Sequence, residues 1–332
     1  MQLITTNNKN IMRHLIFSLF ILFALCLSVS ASANQLRHVE YPTYTAHVNG
    51  LSIAYQDFGK STNGTILLVM GLGAQLITWN DELVLGLADA GYRVIRFDNR
   101  DVGWSEKFND LPTPGIVTGI RYKLGLSLGA PYKLDDMAAD AYGLLEHLKI
   151  ERAHVVGASM GGMIAQIMAA KYPERIASLT SIMSTSGAEH LPEGSVEIDF
   201  SASGKFRDEV ISGTVALVRK FGGSIGTMDQ DLLRQRIARA YDRSYYPDGS
   251  ARQLWAIADS GDRIELLKTV KQPTLVLHGK QDTLIPFQAG EHTAELVKDA
   301  KLVLLDGMGH SIDQANIPII VKEIVALAAT VD

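Results

Sequence analysis

With 332 residues, 47% of them hydrophobic and 20% charged, the chain has the composition of an ordinary soluble globular protein and the length for one large core or two smaller ones. Its formal net charge of −5 and its lack of any basic tract argue against nucleic acid as a partner. Cys26 is the one cysteine. It lies within an apolar run from Leu15 to about Val29, preceded by Lys9, Arg13 and His14 and followed by Ser30-Ala31-Ser32-Ala33, the small-x-small pattern that signal peptidase cuts. Residues 1–33 therefore read as a signal peptide cleaved after Ala33, with the start at Met1 or Met12, and the mature protein is expected to be periplasmic or secreted. The run is shorter than the roughly 20 apolar residues of a membrane span, so no stable span is expected after cleavage. Cleavage removes Lys9 and Arg13 and no acid, which moves the net charge from −5 to −7. Cys26 leaves as well, and with it any disulfide, thiolate nucleophile or cysteine metal site.

In chain order, Tyr44 to Val48 and Leu51 to Phe58 flank Asn49-Gly50, a hairpin signal, so the sheet is expected to open antiparallel. Thr65 to Met70 is a continuous apolar run, as in a strand buried on both faces, and ends in Gly71-Leu72-Gly73. A helix over Asp81 to Ala90, a strand over Tyr92 to Phe97 and a helix over Asp135 to Leu148 follow. Val102 to Lys133, rich in glycine and proline, reads as a long functional or mobile loop. Ala153 to Gly162 reads as strand, sharp turn and helix with Ser159 at the turn, and Ile176 to Met183 as the next strand. The rhythm then breaks into helical patterns at Lys205 to Lys220, Asp229 to Tyr245 and Ala251 to Ala258. It resumes with a strand Pro273 to His278, a helix Phe287 to Lys298, a strand Lys301 to Leu305 and a helix Ile317 to Ala329. This is an α/β pattern: a mostly parallel central sheet with helices on both faces and an inserted helical cap. The expected divisions are a core over 34–183, the cap over 184–262 and the rest of the core over 263–332.

Ligands of such sheets bind at the carboxyl ends of the strands, and the candidate chemistry lies there. Gly157-Ala158-Ser159-Met160-Gly161 is a nucleophile elbow, a strained turn that exposes a hydroxyl at a helix N-terminus. A serine hydroxyl needs a base. His14 lies in the signal, His38 and His47 near the start, His147 and His292 in helices, His190 in the cap, and His154 and His278 in or at the ends of strands. His310 follows the last strand on a glycine-bracketed loop and is the candidate base. Asp282, after the strand ending at His278, is the candidate carboxylate partner, because Asp306 is too near His310 along the chain and Asp98 and Asp101 sit beside Arg100. The oxyanion donors are assigned to the backbone N–H groups of Met160 and Leu72. Tyr241, Tyr245, Tyr246 and Trp255 in the cap are candidate substrate contacts, against a packing role.

From about Tyr44 onward these features resemble the α/β-hydrolase fold serine hydrolases. Leu68-Val69-Met70-Gly71, Phe97-Asp98-Asn99-Arg100-Asp101-Val102-Gly103 with Ser105, and the elbow are similar to the bacterial esterase group that includes aclacinomycin methylesterase. Most members carry His-Gly where this chain has Met70-Gly71. The resemblance implies a serine carboxylic ester hydrolase with a Ser-His-Asp triad and an acyl-enzyme, acting on a small-molecule ester without metal or organic cofactor. Lactonase, cofactor-free perhydrolase, carbon-carbon hydrolase and aminopeptidase chemistry remain open on the same residues, although the Gly-Gly-Pro-Gly loop usual in proline aminopeptidases is missing. A dinucleotide-binding protein is disfavoured because Leu76 stands where the third glycine would be, and an inactive binding module because every triad position is filled. The sequence is silent on natural substrate and oligomeric state.

Overall fold

The computed structural model describes residues 40–196, 206–223 and 230–331. The expected signal peptide with Cys26, the proposed start at Met1 or Met12, and parts of the expected cap lie outside the described residues. Eight strands form one sheet: β1 (Tyr44–Val48), β2 (Leu51–Phe58), β3 (Thr65–Val69), β4 (Arg93–Phe97), β5 (Ala153–Ala158), β6 (Ile176–Ile182), β7 (Thr274–Gly279) and β8 (Lys301–Leu305). Their spatial order is β1-β2-β4-β3-β5-β6-β7-β8. β1 and β2 pair antiparallel, β2 joins β4 antiparallel, and the remaining pairs are parallel. The β1–β2 connection is Asn49-Gly50 with φ of 51° and 75°, the left-handed pair that a two-residue hairpin turn requires.

The helices are α1 (Asp81–Asp89), α2 (Ile116–Lys123), α3 (Leu134–His147), α4 (Met160–Lys171), α5 (Arg207–Phe221), α6 (Gln230–Arg243), α7 (Pro247–Ser260), α8 (Ile264–Leu267), α9 (Gln288–Leu296) and α10 (Ile317–Ala328). Strand β3 shows why its sequence alternates nothing. Leu67 and Val69 enter a core shared with α3 and α4, while Ile66 and Leu68 enter the opposite core with α1 and α10. All four are fully buried, and burial of each such side chain contributes about 2 kcal/mol before entropy is counted. Helix α1 starts where Asn80 Oδ1 accepts the Glu82 N–H at 2.8 Å, with Asp81 and Glu82 in the first turn opposing the helix dipole.

Two departures from the sequence reading bear on function. The Val102 to Lys133 stretch is not all loop, because it contains α2. Helices α5, α6 and α7 stand between β6 and β7, where the helical insertion was expected, and α7 is tied to the loop after β4. Arg252 of α7 pairs with Asp101 after β4 at 2.7 and 3.0 Å, with both side chains buried. Arg100, which the sequence sets beside Asp98 and Asp101, pairs instead with Asp140 of α3 at 2.6 and 2.8 Å.

Candidate active site

The elbow is a consequence of two close approaches. A Cβ at Gly157 would collide with the Gly161 carbonyl, and a Cβ at Gly161 with that of Val69, so β5, α4 and β3 pack at distances only glycine permits. Ser159 is thereby held at φ 56°, ψ −122°, a conformation that side chains rarely adopt. Its carbonyl accepts from the Gly162 N–H at 2.9 Å and from Ser184 Oγ at 2.8 Å, which fixes the turn.

Three loops converge at this turn. Ser159 Oγ lies 2.9 Å from His310 Nε2, and His310 Nδ1 lies 2.7 Å from Asp282 Oδ2. The other oxygen of Asp282 accepts the N–H groups of Leu284 and Ile285 at 2.9 and 2.8 Å. Burial opposes the Asp282 charge, but the charge of His310 and the hydrogen bonds from His278 and His310 outweigh it and hold the carboxyl at about 2. With that carboxylate ionised, His310 Nδ1 donates and Nε2 is left to accept from Ser159 Oγ. This is the geometry a nucleophile, its base and an orienting acid require.

Leu72 and Met160 line the same cavity as Ser159. Met160 opens α4, where the first N–H groups have no intrahelical acceptor. Asp306, set aside as the base's partner, instead pairs with Lys280 at 2.9 Å.

Sequence reasoning missed three supports. His278, assigned only a structural place, stands against the carboxylate: its Nε2 lies 2.8 Å from the Ile285 carbonyl and 3.3 Å from Asp282 Oδ2. Both neighbours are acceptors, so Nε2 carries the proton. Gln253 of α7 accepts the Gly73 N–H at 2.8 Å and donates to the Arg100 carbonyl at 2.7 Å, so it clamps the loop that carries Leu72. Phe221, the last residue of α5, accepts the His310 N–H at 2.7 Å and sets its ring edge-on to the imidazole at 5.8 Å. No local motif marks these contacts, because their partners lie far away along the chain.

The cavity over Ser159 has a volume of about 260 Å³ and walls that include Leu72, Met160, Met163, Ala188, Leu254 and Ile257. None of Tyr241, Tyr245, Tyr246 and Trp255 lines it. Tyr241 and Tyr245 stack on each other at 4.5 Å, Tyr246 Oη bonds Asn109 and Arg252, and Trp255 is buried. Leu254, Ile257 and Ala258, three and four residues apart on α7, take the place expected of the aromatics. Arg263, also at the wall, donates to Gln166 Oε1 and to the carbonyls of Gly261 and Thr185, so it joins the two ends of the 184–262 segment. Burial pulls its guanidinium down to about 10, which leaves it a cation at neutral pH.

Residues 64–312 match the alpha/beta hydrolase fold family. The chain belongs to that family. It is 27% identical over 306 residues to rhodomycin D methylesterase DauP of Streptomyces sp. (strain C5), covering 82% of this chain and 94% of that protein. It is 28% identical over 268 residues to a 2-hydroxy-6-oxononadienedioate/2-hydroxy-6-oxononatrienedioate hydrolase of Paraburkholderia phymatum, covering 78% and 85%. Among solved structures, the enol-lactonase from Burkholderia xenovorans LB400 shares the fold with a TM-score of 0.66 at 24% identity, over 86% of this chain and all of that one. The α/β-hydrolase, esterase-like character and the mostly parallel sheet expected from sequence are therefore established, as is membership of a hydrolase family.

Replacing Gln253 by methionine keeps most of its volume and leaves the Gly73 N–H free to swing. If the Leu72 N–H serves as an oxyanion donor, the expected result is a kcat lowered by about tenfold or more with KM little changed, because such a donor acts mainly in the transition state. The control is Leu83→Ala, a core truncation remote from the site. If both variants lose Tm and only Gln253→Met loses kcat, Gln253 positions the hole; an unchanged kcat would reduce it to packing.

Proposed function

We propose that the protein is a serine carboxylic ester hydrolase working through an acyl-enzyme, and the observation that carries this reading is the hydrogen-bonded series Ser159, His310, Asp282 opening on an apolar cavity. In the proposed mechanism Ser159 Oγ attacks the ester carbonyl carbon while His310 Nε2 takes its proton. The carbonyl oxygen becomes an oxyanion beside the Leu72 and Met160 N–H groups. Collapse expels the alcohol oxygen, which receives the proton from His310, and leaves Ser159 acylated. Water then attacks the acyl carbon, its proton passing to Nε2, and release of the acid restores the serine.

The apolar side chains of the wall, Leu72, Met160, Met163, Leu254 and Ile257 among them, suit an uncharged acyl group. The match to a methylesterase over most of both chains supports the same reading. The match to a dienedioate hydrolase makes carbon-carbon hydrolysis the second reading, since the same three side chains serve it. A panel of neutral esters, lactones, thioesters, aminoacyl amides and 2-hydroxy-6-oxononadienedioate separates them. The ester reading expects neutral esters to give the highest kcat/KM; turnover of the dioate alone would replace it.

We also propose that residues 184–262 form the cap that bounds the cavity, and that the protein is exported with residues 1–33 removed. N-terminal sequencing of protein recovered outside the cytoplasm is expected to begin at Asn34; a chain that retains Leu15 to Val29 would contradict removal.

A further inference from the structure

Strand β7 and the loop after it bring two side chains together at the acid of the site. Asp282 lies on the loop, and His278, near the end of the strand, stands against it with both side chains fully buried. The Nε2 proton of His278 faces two acceptors. It donates to the Ile285 carbonyl at 2.8 Å and reaches Asp282 Oδ2 at 3.3 Å. Ile285 closes the circuit, because its own N–H donates to the other carboxylate oxygen, Oδ1, at 2.8 Å, beside the Leu284 N–H at 2.9 Å. One ring nitrogen therefore acts on both ends of the carboxylate: on Oδ2 directly, and on Oδ1 through the peptide that binds it.

The ring is backed on its other side. Nδ1 has no hydrogen-bond partner among the described residues, and Gly290 of α9 packs so closely that a Cβ there would stand 2.5 Å from it. Burying an unpartnered nitrogen costs free energy that an apolar side chain of similar size avoids, so packing alone does not account for an imidazole at this position. What Nε2 holds does account for it. His310 Nδ1 lies 2.7 Å from the same Oδ2, and a tilt of the carboxylate bends or lengthens that bond while the fold stays intact.

We propose that His278 is a positioning residue for the reaction: its shared proton holds the Asp282 carboxylate in the orientation that His310 Nδ1 requires. It touches no reacting atom and acts through Asp282. The effect on turnover rests on the ester hydrolase reading; the effect on the Asp282–His310 hydrogen bond stands without it.

The test compares variants of the full-length protein. His278→Leu keeps much of the ring's volume and removes the donor, whereas His278→Gln returns an N–H at the reach of Nε2. Leu275→Ala, a core truncation earlier on the same strand, is the control for lost stability. On a soluble acetate ester His278→Leu should lower kcat by about tenfold to a hundredfold with KM little changed, and His278→Gln should recover all but about threefold of it. Leu275→Ala should lower Tm and keep kcat within about twofold. Added to Asp282→Asn, His278→Leu should cost less than about twofold more, because the carboxylate it orients is gone. The low-field proton NMR signal of His310 Nδ1–H reports the hydrogen bond without turnover; it should move or exchange away in His278→Leu, return in His278→Gln and stay in Leu275→Ala. Should His278→Leu fail to fold, Gly290→Ala, whose Cβ displaces the ring, is expected to give the same loss of kcat and the same change of signal. A signal that stays in place, in whichever of these two variants folds, overturns the proposal, as does a loss of kcat that His278→Gln shares in full or that adds undiminished to Asp282→Asn. A parent inactive on the soluble ester marks failure of the ester hydrolase reading alone, since the NMR signal still decides the positioning.

Discussion

Ser159→Ala is expected to leave a folded protein whose esterase kcat/KM has fallen by about 10⁴-fold or more. The hydroxyl sits at a turn fixed by backbone contacts, with its carbonyl held by Gly162 and Ser184, so its removal costs the fold little. Alanine must still occupy the left-handed conformation at φ 56°, which serine already endures, so that strain is common to both. On the proposed acyl-enzyme mechanism, chemistry loses the only atom that carries the acyl group. Because nucleophile and base act as one unit, adding His310→Ala should lower activity almost no further. A double variant much slower than either single one would show that the two side chains act independently and would remove the proposed relay. Thermal unfolding measured beside the kinetics separates lost chemistry from lost structure.

Asp282→Asn is the second large effect, with kcat lowered by about 10³ to 10⁴-fold. The surroundings dictate how the amide must sit. The Leu284 and Ile285 N–H groups require an acceptor at Oδ1, so the asparagine oxygen turns toward them and its NH2 faces His310 Nδ1. The imidazole proton is then driven to Nε2, where it blocks acceptance from Ser159. Stability should change as well. The folded carboxyl at about 2 lies below the roughly 3.9 of an unfolded aspartate, so its contribution is fully present above about pH 4 and is lost as pH falls through about 2. Removing the carboxylate should flatten that part of the acid limb of the stability curve. A substitution that leaves kcat intact while lowering Tm would make Asp282 a fold support only.

Much of this site was legible because each part obeys a local rule. The elbow shows in five residues, since its glycines answer contacts made within one strand-turn-helix unit. Strand β3 shows as a continuous apolar run because both faces of the sheet are covered, and Asn49-Gly50 announces its own turn. Asp282 and His310 were found by the order of strands, as residues directly after β7 and β8. What escaped was set by distance or direction. Gln253 meets Gly73 across 180 positions, and nothing near either residue encodes the pairing. The cap aromatics drew notice by size, but helix periodicity aims Leu254, Ile257 and Ala258 at the cavity and leaves Trp255 in the packing. Helix α2 escaped for the opposite reason: Pro114, Gly115, Gly119 and Gly125 read as loop chemistry, and Ile116, Val117, Ile120 and Leu124 are exposed, where no core periodicity betrays them.

Covalent acylation of Ser159 is the step on which the proposed function turns. Incubation of the purified protein with a fluorophosphonate, followed by peptide mass spectrometry, tests it most directly, because the reagent is attacked only by a serine whose proton a neighbouring base removes. The expected result is a single adduct on the peptide holding Ser159, formed in step with loss of ester hydrolysis and absent from Ser159→Ala and His310→Ala. An adduct on another residue, or full ester hydrolysis by a protein that takes up no label, would contradict it.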